Sequence, residues 1–236
     1  MGSAAQNTVF DQHRLEATAY RPMVDLASGA ISAFEIQQVE EGPEGMVLCG
    51  QQPDGLSLAR QLAAICAAPL HDMVLALSPA QFVAGPVTSQ SVWNLREVLA
   101  GGPRLTVLLG WNAGDPVVEG LGDAIGGWRR LGCAVGIDNF GYAPVPALWP
   151  LVHRLDLVRI DARLAGMLRA GVIERDSVLA LVRFAASLGP GRIVIDGCDT
   201  DEDIDLLRQS GATHGQGAHF GTLRRTRPGP VRGAQA

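Results

Sequence analysis

The sequence has no lysine, no excess of positive charge and no long apolar run. All 19 basic residues are arginine, and the formal net charge is -5, which argues against a general nucleic-acid-binding surface. No apolar stretch reaches the roughly 18 residues that a membrane-spanning helix requires. The N-terminal residues also lack the basic and apolar blocks of a signal peptide. These absences predict a cytoplasmic protein without a membrane span.

The four cysteines are too far apart to indicate a shared site. Cys49, Cys66, Cys133 and Cys198 form no C-x-x-C pair, so neither a zinc site nor a disulfide framework is expected. We expect reduced thiols in the core. The chain has 236 residues, of which 47% are hydrophobic and 18% charged, as is typical of a folded globular protein rather than a disordered one. This length allows one α/β barrel or two small domains.

Short apolar runs alternate with longer amphipathic segments along the whole chain, which is the pattern of repeated βα units. The first two runs, ATAYRPMVDL and ISAFEIQQVE, are separated only by ASGA, so they should pair as an antiparallel hairpin. Six further strands are predicted at residues 73–78, 105–111, 133–140, 155–161, 192–197 and 213–220. Helices are expected between them, including residues 56–68, 176–189 and 201–211. Thr200 and Asp203 have the spacing of a capping box at the start of the last helix.

Eight strands in a chain of this length favour a TIM-like (β/α)8 barrel with an antiparallel first strand over an open doubly wound sheet. We expect one domain over residues 16–222. Residues 1–15 are predicted to be an N-terminal extension. Residues 223–236 are predicted to be a basic, proline-broken and disordered tail, with an anion or membrane contact as the less favoured alternative.

Polar residues end several of the predicted strands, and in a barrel the carboxyl ends of the strands face a common mouth. Each residue has a simple structural alternative: Glu35 could pair with Arg159 inside the barrel, and Gln216 could bond a neighbouring backbone group. Acids on strands two, five and seven, a base on strand six and an amide on strand eight together indicate a functional site. The residues expected at the mouth are Glu35, Ala76, Leu108, Asp138, Asn139, Arg159, Asp161, Asp196, Asp199 and Gln216.

Six segments, in order between Tyr20 and Gly221, resemble motifs of the EAL family of cyclic di-GMP phosphodiesterases. EIQ at 35–37 stands in place of the Glu-Ala-Leu signature, and IDNFG at 137–141 resembles the family's Asp-Asp-Phe-Gly segment. The others are YRPMVDLASGA, LALSPAQF, LDLVRID and IDGCDT with its following Gln-Gly pair. The resemblance implies an EAL-type barrel. It also implies an activity in which two Mg²⁺ or Mn²⁺ ions activate water to cleave one phosphodiester.

The resemblance assigns a metal-binding set from which several ligands are missing. The ligand positions that keep a polar residue are Glu35, Asp138, Asn139 and Asp196. Ala76 and Leu108 stand where the family has an asparagine and a glutamate. Neither Ala76 nor Leu108 offers a lone pair to a hard cation. Asn112 and Asp115 lie beyond the strand and could replace these ligands only in a rebuilt loop.

The other positions implied by the resemblance are also altered. Arg159 replaces the lysine that orients the attacking water, so Arg159 and Asp196 are remnants of catalytic positions. Trp111 stands for a loop-organising glutamate, and Val39 for an arginine that grips phosphate. The remaining ligand-binding remnants are Arg21, Gln37, Asp161 and Gln216.

Three functions follow from this comparison. The one we favour is a catalytically inactive EAL-fold signalling regulator that acts through a protein partner and needs no cofactor. A receptor that binds cyclic di-GMP without cleaving it is the second. The third is a weakly active phosphodiesterase, which would use Mg²⁺ or Mn²⁺. The family also makes a homodimer possible.

The acids at the mouth also bear on stability. Without their metal, Glu35 and Asp138 are expected to repel one another, so Glu35→Ala and Asp138→Ala should leave folding intact or raise stability. The alternative is that both are paired with Arg159, in which case either substitution leaves a buried charge unpaired.

Overall fold

The structure is a computed structural model that describes residues 15–42, 45–48, 61–65, 71–85, 89–112, 114–115, 118–142 and 153–224. The predicted N-terminal extension and C-terminal tail lie outside these residues, except for Leu15 and residues 223–224. Nine strands occur in the described residues: β1 (Leu15–Asp25), β2 (Ile31–Gly42), β3 (Gly45–Leu48), β4 (Met73–Leu77), β5 (Leu105–Gly110), β6 (Ala134–Phe140), β7 (Leu157–Ile160), β8 (Arg192–Ile195) and β9 (His214–Gly215).

Helices lie between most of the parallel strands, one or two at a time. Residues 61–65 are helical and form α1. The others are α2 (Pro79–Ala84), α3 (Ser89–Ala100), α4 (Leu121–Arg130), α5 (Ala162–Arg169), α6 (Arg175–Ser187) and α7 (Asp201–Ser210). The predicted capping box at α7 is confirmed, since the Thr200 side chain accepts a hydrogen bond from the Asp203 backbone and the Asp203 side chain accepts one from the Thr200 backbone. The part of the predicted first helix outside 61–65 lies outside the described residues.

Eight of the strands close into a barrel. β1 pairs antiparallel with both β2 and β9, while β2, β4, β5, β6, β7, β8 and β9 pair parallel in that order. The prediction of a TIM-like α/β barrel with an antiparallel first strand is therefore confirmed. β3, which the sequence did not predict, adds to the outer edge of β2 as a further antiparallel strand.

The strands separate two apolar layers. The outer layer packs the barrel against its helices, and within it the Trp128 Nε1 donates a buried hydrogen bond to the Phe82 carbonyl at 2.9 Å. The inner layer fills the barrel with the side chains of Met23, Ala33, Val74, Leu108, Leu157 and Val194. β5 is buried along its whole length, which explains why its sequence LTVLLG is apolar except for Thr106.

The inner apolar layer fixes which residues lie next toward the mouth. Side chains on a strand alternate between faces, so a residue two positions away from an inner one also points into the barrel. This places a polar layer directly above the apolar one. Its members are Arg21, Glu35, Arg159 and Asp196, each two positions from Met23, Ala33, Leu157 and Val194 in turn.

Two of the four cysteines lie in the described residues. Cys133 and Cys198 are buried free thiols, as predicted, and burial raises the pKa of each to about 12. Both are therefore protonated and unreactive at neutral pH. Cys49 and Cys66 lie outside the described residues.

Candidate functional site

Arg159 is the centre of the polar layer. Its Nε donates to Asp138 Oδ1 at 2.7 Å and its Nη2 to Asp138 Oδ2 at 2.6 Å, which is a bidentate pair between neighbouring strands β7 and β6. The same Nη2 lies 2.7 Å from Glu35 Oε1 on β2. Arg159 and Glu35 are 3% and 1% exposed, so these ion pairs are shielded from water.

Arg21 forms the second half of the network. It lies directly opposite Glu35 in the β1–β2 ladder. Its Nε and Nη2 both donate to Glu35 Oε2, at 3.2 and 3.0 Å. Nη2 also donates to Asp196 Oδ2 at 2.6 Å. Glu35 is therefore held by guanidinium groups on both sides.

Gln216 links the two halves of the network. Its Oε1 accepts from Arg159 Nη1 at 3.0 Å, and its Nε2 donates to Glu35 Oε2 at 2.8 Å. Gln216 is completely buried, and both ends of its amide are used. Gln216 is therefore an internal bridge between Arg159 and Glu35.

The pKa values of the network follow from burial and from the two arginines. Burial alone would raise the pKa of Glu35, but the charges of Arg159 and Arg21 outweigh burial and lower it to about 2. Burial raises the pKa of Asp196 despite its contact with Arg21. Burial opposes ionisation of Arg159, yet the neighbouring Asp138 and Glu35 raise its pKa well above the usual value. Arg159 is therefore a permanent cation.

The positions of Ala76 and Leu108 are apolar in their surroundings as well as in their own side chains. Leu108 is fully buried in the inner apolar layer, and Ala76 packs against that layer. A Cβ added at Gly136 would lie 2.6 Å from Leu108 Cδ2, so the Leu108 side chain already fills the space beside β6. The Leu108 side chain thus packs against the β6 backbone at this position.

Asn139 lies on β6, and its side chain bonds the loop beyond β5 rather than the network. It lies at an irregularity in the β6–β7 pairing and has a φ of 58°, in the left-handed region. Its Nδ2 donates to the Trp111 carbonyl at 3.2 Å and to Asn112 Oδ1 at 3.1 Å. Asp115 Oδ2 in turn accepts from the Asn112 backbone at 2.7 Å. Asn112 and Asp115, the residues considered for a rebuilt metal site, instead make hydrogen bonds within this loop.

Asp161 and Asp199 also make internal contacts. Asp161 is the N-cap of α5, and its side chain accepts from the Arg163 backbone at 2.7 Å. The Arg163 guanidinium pairs with Asp161 and lies 3.6 Å from the centre of the Tyr142 ring. Asp199 Oδ1 accepts from the Ala218 backbone at 2.8 Å, which joins the loops after β8 and β9.

The remaining predicted positions line the mouth or the outer core. Gln37 lies on β2 above Glu35, and among the described residues its buried Oε1 has no hydrogen-bond partner. Val39 is fully buried on the same strand, and Trp111 is buried in the outer apolar layer. The sequence placed Arg21 in the site but missed its contacts with Glu35 and Asp196. The hairpin was the available signal, because it brings β1 across from β2.

The network does not fit a divalent metal centre. Arg159 Nη2 occupies the space between Asp138 and Glu35, at 2.6 and 2.7 Å from their oxygens. Over the described residues, no three His, Cys, Asp or Glu side chains converge where they could hold a metal ion. The expectation that Glu35 and Asp138 repel one another is also wrong, since both are paired with Arg159, which was the alternative.

The comparisons with known proteins identify the family. The family model described as the EAL domain matches residues 60–222. The chain belongs to the EAL domain family. Members of this family are cyclic di-GMP phosphodiesterases, and the EAL fold is typical of cyclic di-GMP signalling proteins.

A curated relative of this EAL chain matches only part of its length. It is an uncharacterized protein from Azorhizobium caulinodans, 33% identical over 107 residues. The match covers 44% of this chain but 14% of the relative, so most of that protein has no counterpart here.

Solved EAL structures share the fold at low sequence identity. A standalone versatile EAL protein from Vibrio cholerae O395, bound to c-di-GMP, has a TM-score of 0.71 at 14% identity, with 92% of this chain and 95% of that chain covered. The manganese and cyclic di-GMP complex of Klebsiella pneumoniae BlrP1 has a TM-score of 0.65 at 22% identity, with coverage of 88% and 56%. In the described residues of this EAL chain, no helix is long and apolar enough to cross a bilayer.

Proposed function

We propose that this EAL chain is a signalling regulator that does not hydrolyse cyclic di-GMP and acts through a protein partner. The observation that carries the proposal is the position of Arg159 Nη2, 2.6 Å from Asp138 and 2.7 Å from Glu35. A guanidinium in this position satisfies the charge of both carboxylates and excludes a cation from between them. The chain therefore lacks the means to activate water by the two-ion route of its family.

The contacts of the ligand-binding positions favour a protein partner over a cyclic di-GMP receptor. Arg21 is bound to Glu35 and Asp196, Gln216 is buried between Arg159 and Glu35, and Asp161 caps α5. These groups already bond within the protein, so they are less available to a nucleotide than free side chains would be. A cytoplasmic location and the division into an extension, one domain and a tail stay predictions.

Hydrolysis and binding are tested separately. The purified chain is incubated with cyclic di-GMP in Mg²⁺ and in Mn²⁺, and the products are separated by chromatography, with an active family enzyme as positive control. We expect no linear dinucleotide. Formation of linear dinucleotide that is lost in Glu35→Ala but kept in the exposed control variant Glu202→Ala would refute the proposal.

Calorimetric titration with cyclic di-GMP, with and without Mg²⁺, distinguishes the partner-binding regulator from the receptor that binds cyclic di-GMP without cleaving it. We expect no heat of binding in either condition. Saturable binding without cleavage would replace the partner-binding regulator with the receptor.

A further inference from the structure

Arg192 is a half-buried arginine that lacks the carboxylate partners of the two arginines in the polar layer. It begins β8, at the end of the barrel opposite the mouth. Its Nη2 donates to the Oγ1 of Thr106 on β5 at 2.7 Å, and Thr106 is 1% exposed. Within the described residues, no carboxylate forms an ion pair with Arg192. The guanidinium is therefore partly removed from water without a counter-charge in contact with it.

The pKa of Arg192 reflects this difference. Burial lowers it, and Asp72 and Asp156 do not restore it, since the nearby cation of Arg104 also lowers it. In both arginines of the polar layer, the neighbouring acids raise the pKa despite burial. Arg192 still carries its charge at neutral pH, because an arginine side chain is not deprotonated in proteins. A carboxylate from another molecule would supply the partner that Arg192 does not have within the fold.

The acids at this end of the barrel are already engaged by backbone groups. We define the barrel floor as the end of β1 with its turn and the loops that lead into strands β4 to β9. Its described part contains three acids, each of which accepts a backbone N–H at 2.8 or 2.9 Å: Asp25, Asp72 and Asp156. Asp156 also pairs with Arg129. Residues 66–70 and 143–152, which precede floor residues in the sequence and lie outside the described residues, contain no acid.

Four arginines lie on four neighbouring strands at the floor or on the segments that lead into these strands. Arg104 precedes β5, Arg130 ends α4 before β6, Arg154 precedes β7 and Arg192 begins β8, and these strands are parallel neighbours. Arg130 Nη1 and Arg154 Nη2 lie 3.3 and 3.8 Å from the position that a Cβ on Gly126 would take, so these two cations are close together. In the part of the chain that the structure describes, none of these four floor arginines forms an ion pair.

The floor arginines call for an anionic partner. We propose that Arg104, Arg130, Arg154 and Arg192 bind an extended, acidic segment of the partner protein, with Arg192 as the half-buried anchor. A guanidinium group matches the geometry of a carboxylate and can hold it by two parallel hydrogen bonds. The chain as a whole has a net charge of -5, so this basic surface is a local feature. The inference rests on the proposed function and names the surface and the chemistry of its partner.

The spread of the four arginines favours a polypeptide over a small anion. Neighbouring strands lie about 5 Å apart, so the barrel wall from β5 to β8 spans about 14 Å. A single phosphate or carboxylate group is too small to reach from one end of this span to the other. Alternate side chains of an extended segment point the same way at intervals of about 7 Å, so three acids at alternate positions cover it.

The experiment uses the full chain and a synthetic probe. The probe is a fluorescently labelled peptide of about eight residues in which glutamate and serine alternate, and binding is followed by anisotropy at low salt. A matched peptide has glutamine in place of glutamate, and a labelled single-stranded oligonucleotide serves as a polyanion that is not a peptide. We expect saturable binding of the glutamate peptide. Binding should be at least about tenfold weaker for the glutamine peptide, which lacks the charge, and for the oligonucleotide, whose continuous charge the negative chain repels.

Two double variants locate the site. Arg104→Gln combined with Arg192→Gln removes both ends of the set, and we expect about tenfold weaker binding of the glutamate peptide. Arg175→Gln combined with Arg224→Gln removes the same charge at the start of α6 and beyond β9, away from the floor. This control should bind within about twofold of the wild type. Thermal denaturation verifies that each variant is folded.

If Arg192→Gln does not fold, Arg130→Gln combined with Arg154→Gln tests the same surface, with the same expected loss. Equal loss in the floor variant and in the control variant would show that overall charge alone attracts the probe, and would overturn the inference. Equal or tighter binding of the oligonucleotide would assign the floor to a nucleic acid instead. Failure of the glutamate peptide to bind would reject this surface and leave the hydrolysis assay unaffected, so it is distinct from failure of the proposed function.

Discussion

Arg159 on β7 and Asp138 on β6 form a buried bidentate ion pair, with donor–acceptor distances of 2.7 and 2.6 Å. Glu35 completes the cation's surroundings from β2, at 2.7 Å. Three strands of the barrel are therefore tied together by one guanidinium. Removing any one of these residues should destabilise the fold, because it leaves a buried charge without its partner.

Arg159→Met should lower the free energy of unfolding by about 3 to 5 kcal/mol, because Glu35 and Asp138 lose their shared counter-charge inside the barrel. Urea unfolding followed by tryptophan fluorescence measures the change. The matched control is Arg163→Met, whose ion pair with Asp161 has a 43% exposed arginine side chain and should cost less than about 1 kcal/mol. Equal shifts in the two variants would contradict the central role of Arg159.

Stability should fall as the pH is lowered, through Glu35. Burial opposes its ionisation, but Arg159 and Arg21 lower its pKa to about 2 in the folded chain, against 4.5 for the ordinary group. A depressed folded-state pKa contributes stability that is fully present above pH 4.5 and lost as the pH falls toward 2. Urea midpoints measured across this window should decrease in the wild type.

Glu35→Gln provides the control for this pH dependence. It keeps the shape of the side chain without a titrating group, so the decrease should be smaller than in the wild type. The raised pKa of Asp196 acts in the opposite direction, since protonation of Asp196 favours the folded state. A wild-type curve with the same slope as that of Glu35→Gln would refute the assignment to Glu35.

Magnesium should not stabilise the fold. A site with a dissociation constant near 0.1 mM would add about 2.7 kcal/mol at 10 mM Mg²⁺, where the ligand is in hundredfold excess. For a domain of this size that equals roughly 5 to 10 °C in melting temperature. We expect no shift by thermal denaturation, because guanidinium groups already occupy the carboxylates. A shift above about 5 °C that disappears in Asp138→Asn would contradict the proposal that the chain does not hydrolyse cyclic di-GMP.

Asn139→Ala should destabilise the chain by more than Asn139→Gly. Alanine loses the side-chain bonds to Trp111 and Asn112 and must also hold a φ of 58°, which costs a residue with a Cβ about 1 to 2 kcal/mol. Glycine loses the same bonds but adopts this φ freely. The difference between the two urea midpoints therefore measures the cost of holding a residue with a Cβ in the left-handed conformation. Equal midpoints would show that the left-handed conformation costs nothing here.

Polar residues near the ends of the strands were predictable from the sequence, because a buried parallel strand is mostly apolar and a polar residue after such a run stands out. Asp138 and Asp196 were found in this way, and the capping box of α7 was read directly from Thr200 and Asp203. Local patterns carry this information within a few residues.

The pairings inside the barrel were not predictable, because they depend on register. The β1–β2 ladder shifts between Met23 and Val24. If the pair Val24–Ile31 were extended without that shift, Arg21 would stand opposite Phe34 rather than Glu35. A shift of one residue reverses the face of every side chain, and nothing in the apolar pattern locates it. This register places Arg21 opposite Glu35, so whether Glu35 meets a cation or only other acids could not be read from the sequence.

If the chain has lost metal binding, as we propose, the Arg159–Asp138–Glu35 arrangement makes that loss difficult to reverse in evolution. Replacing Arg159 alone unpairs two buried carboxylates, and restoring a ligand at Leu108 alone would place a third acid beside them. Each single step toward an active enzyme passes through a less stable protein that still lacks a complete metal site. Several substitutions would have to arise together, so under the proposed function descendants of this chain are expected to diversify as binding proteins rather than regain hydrolysis.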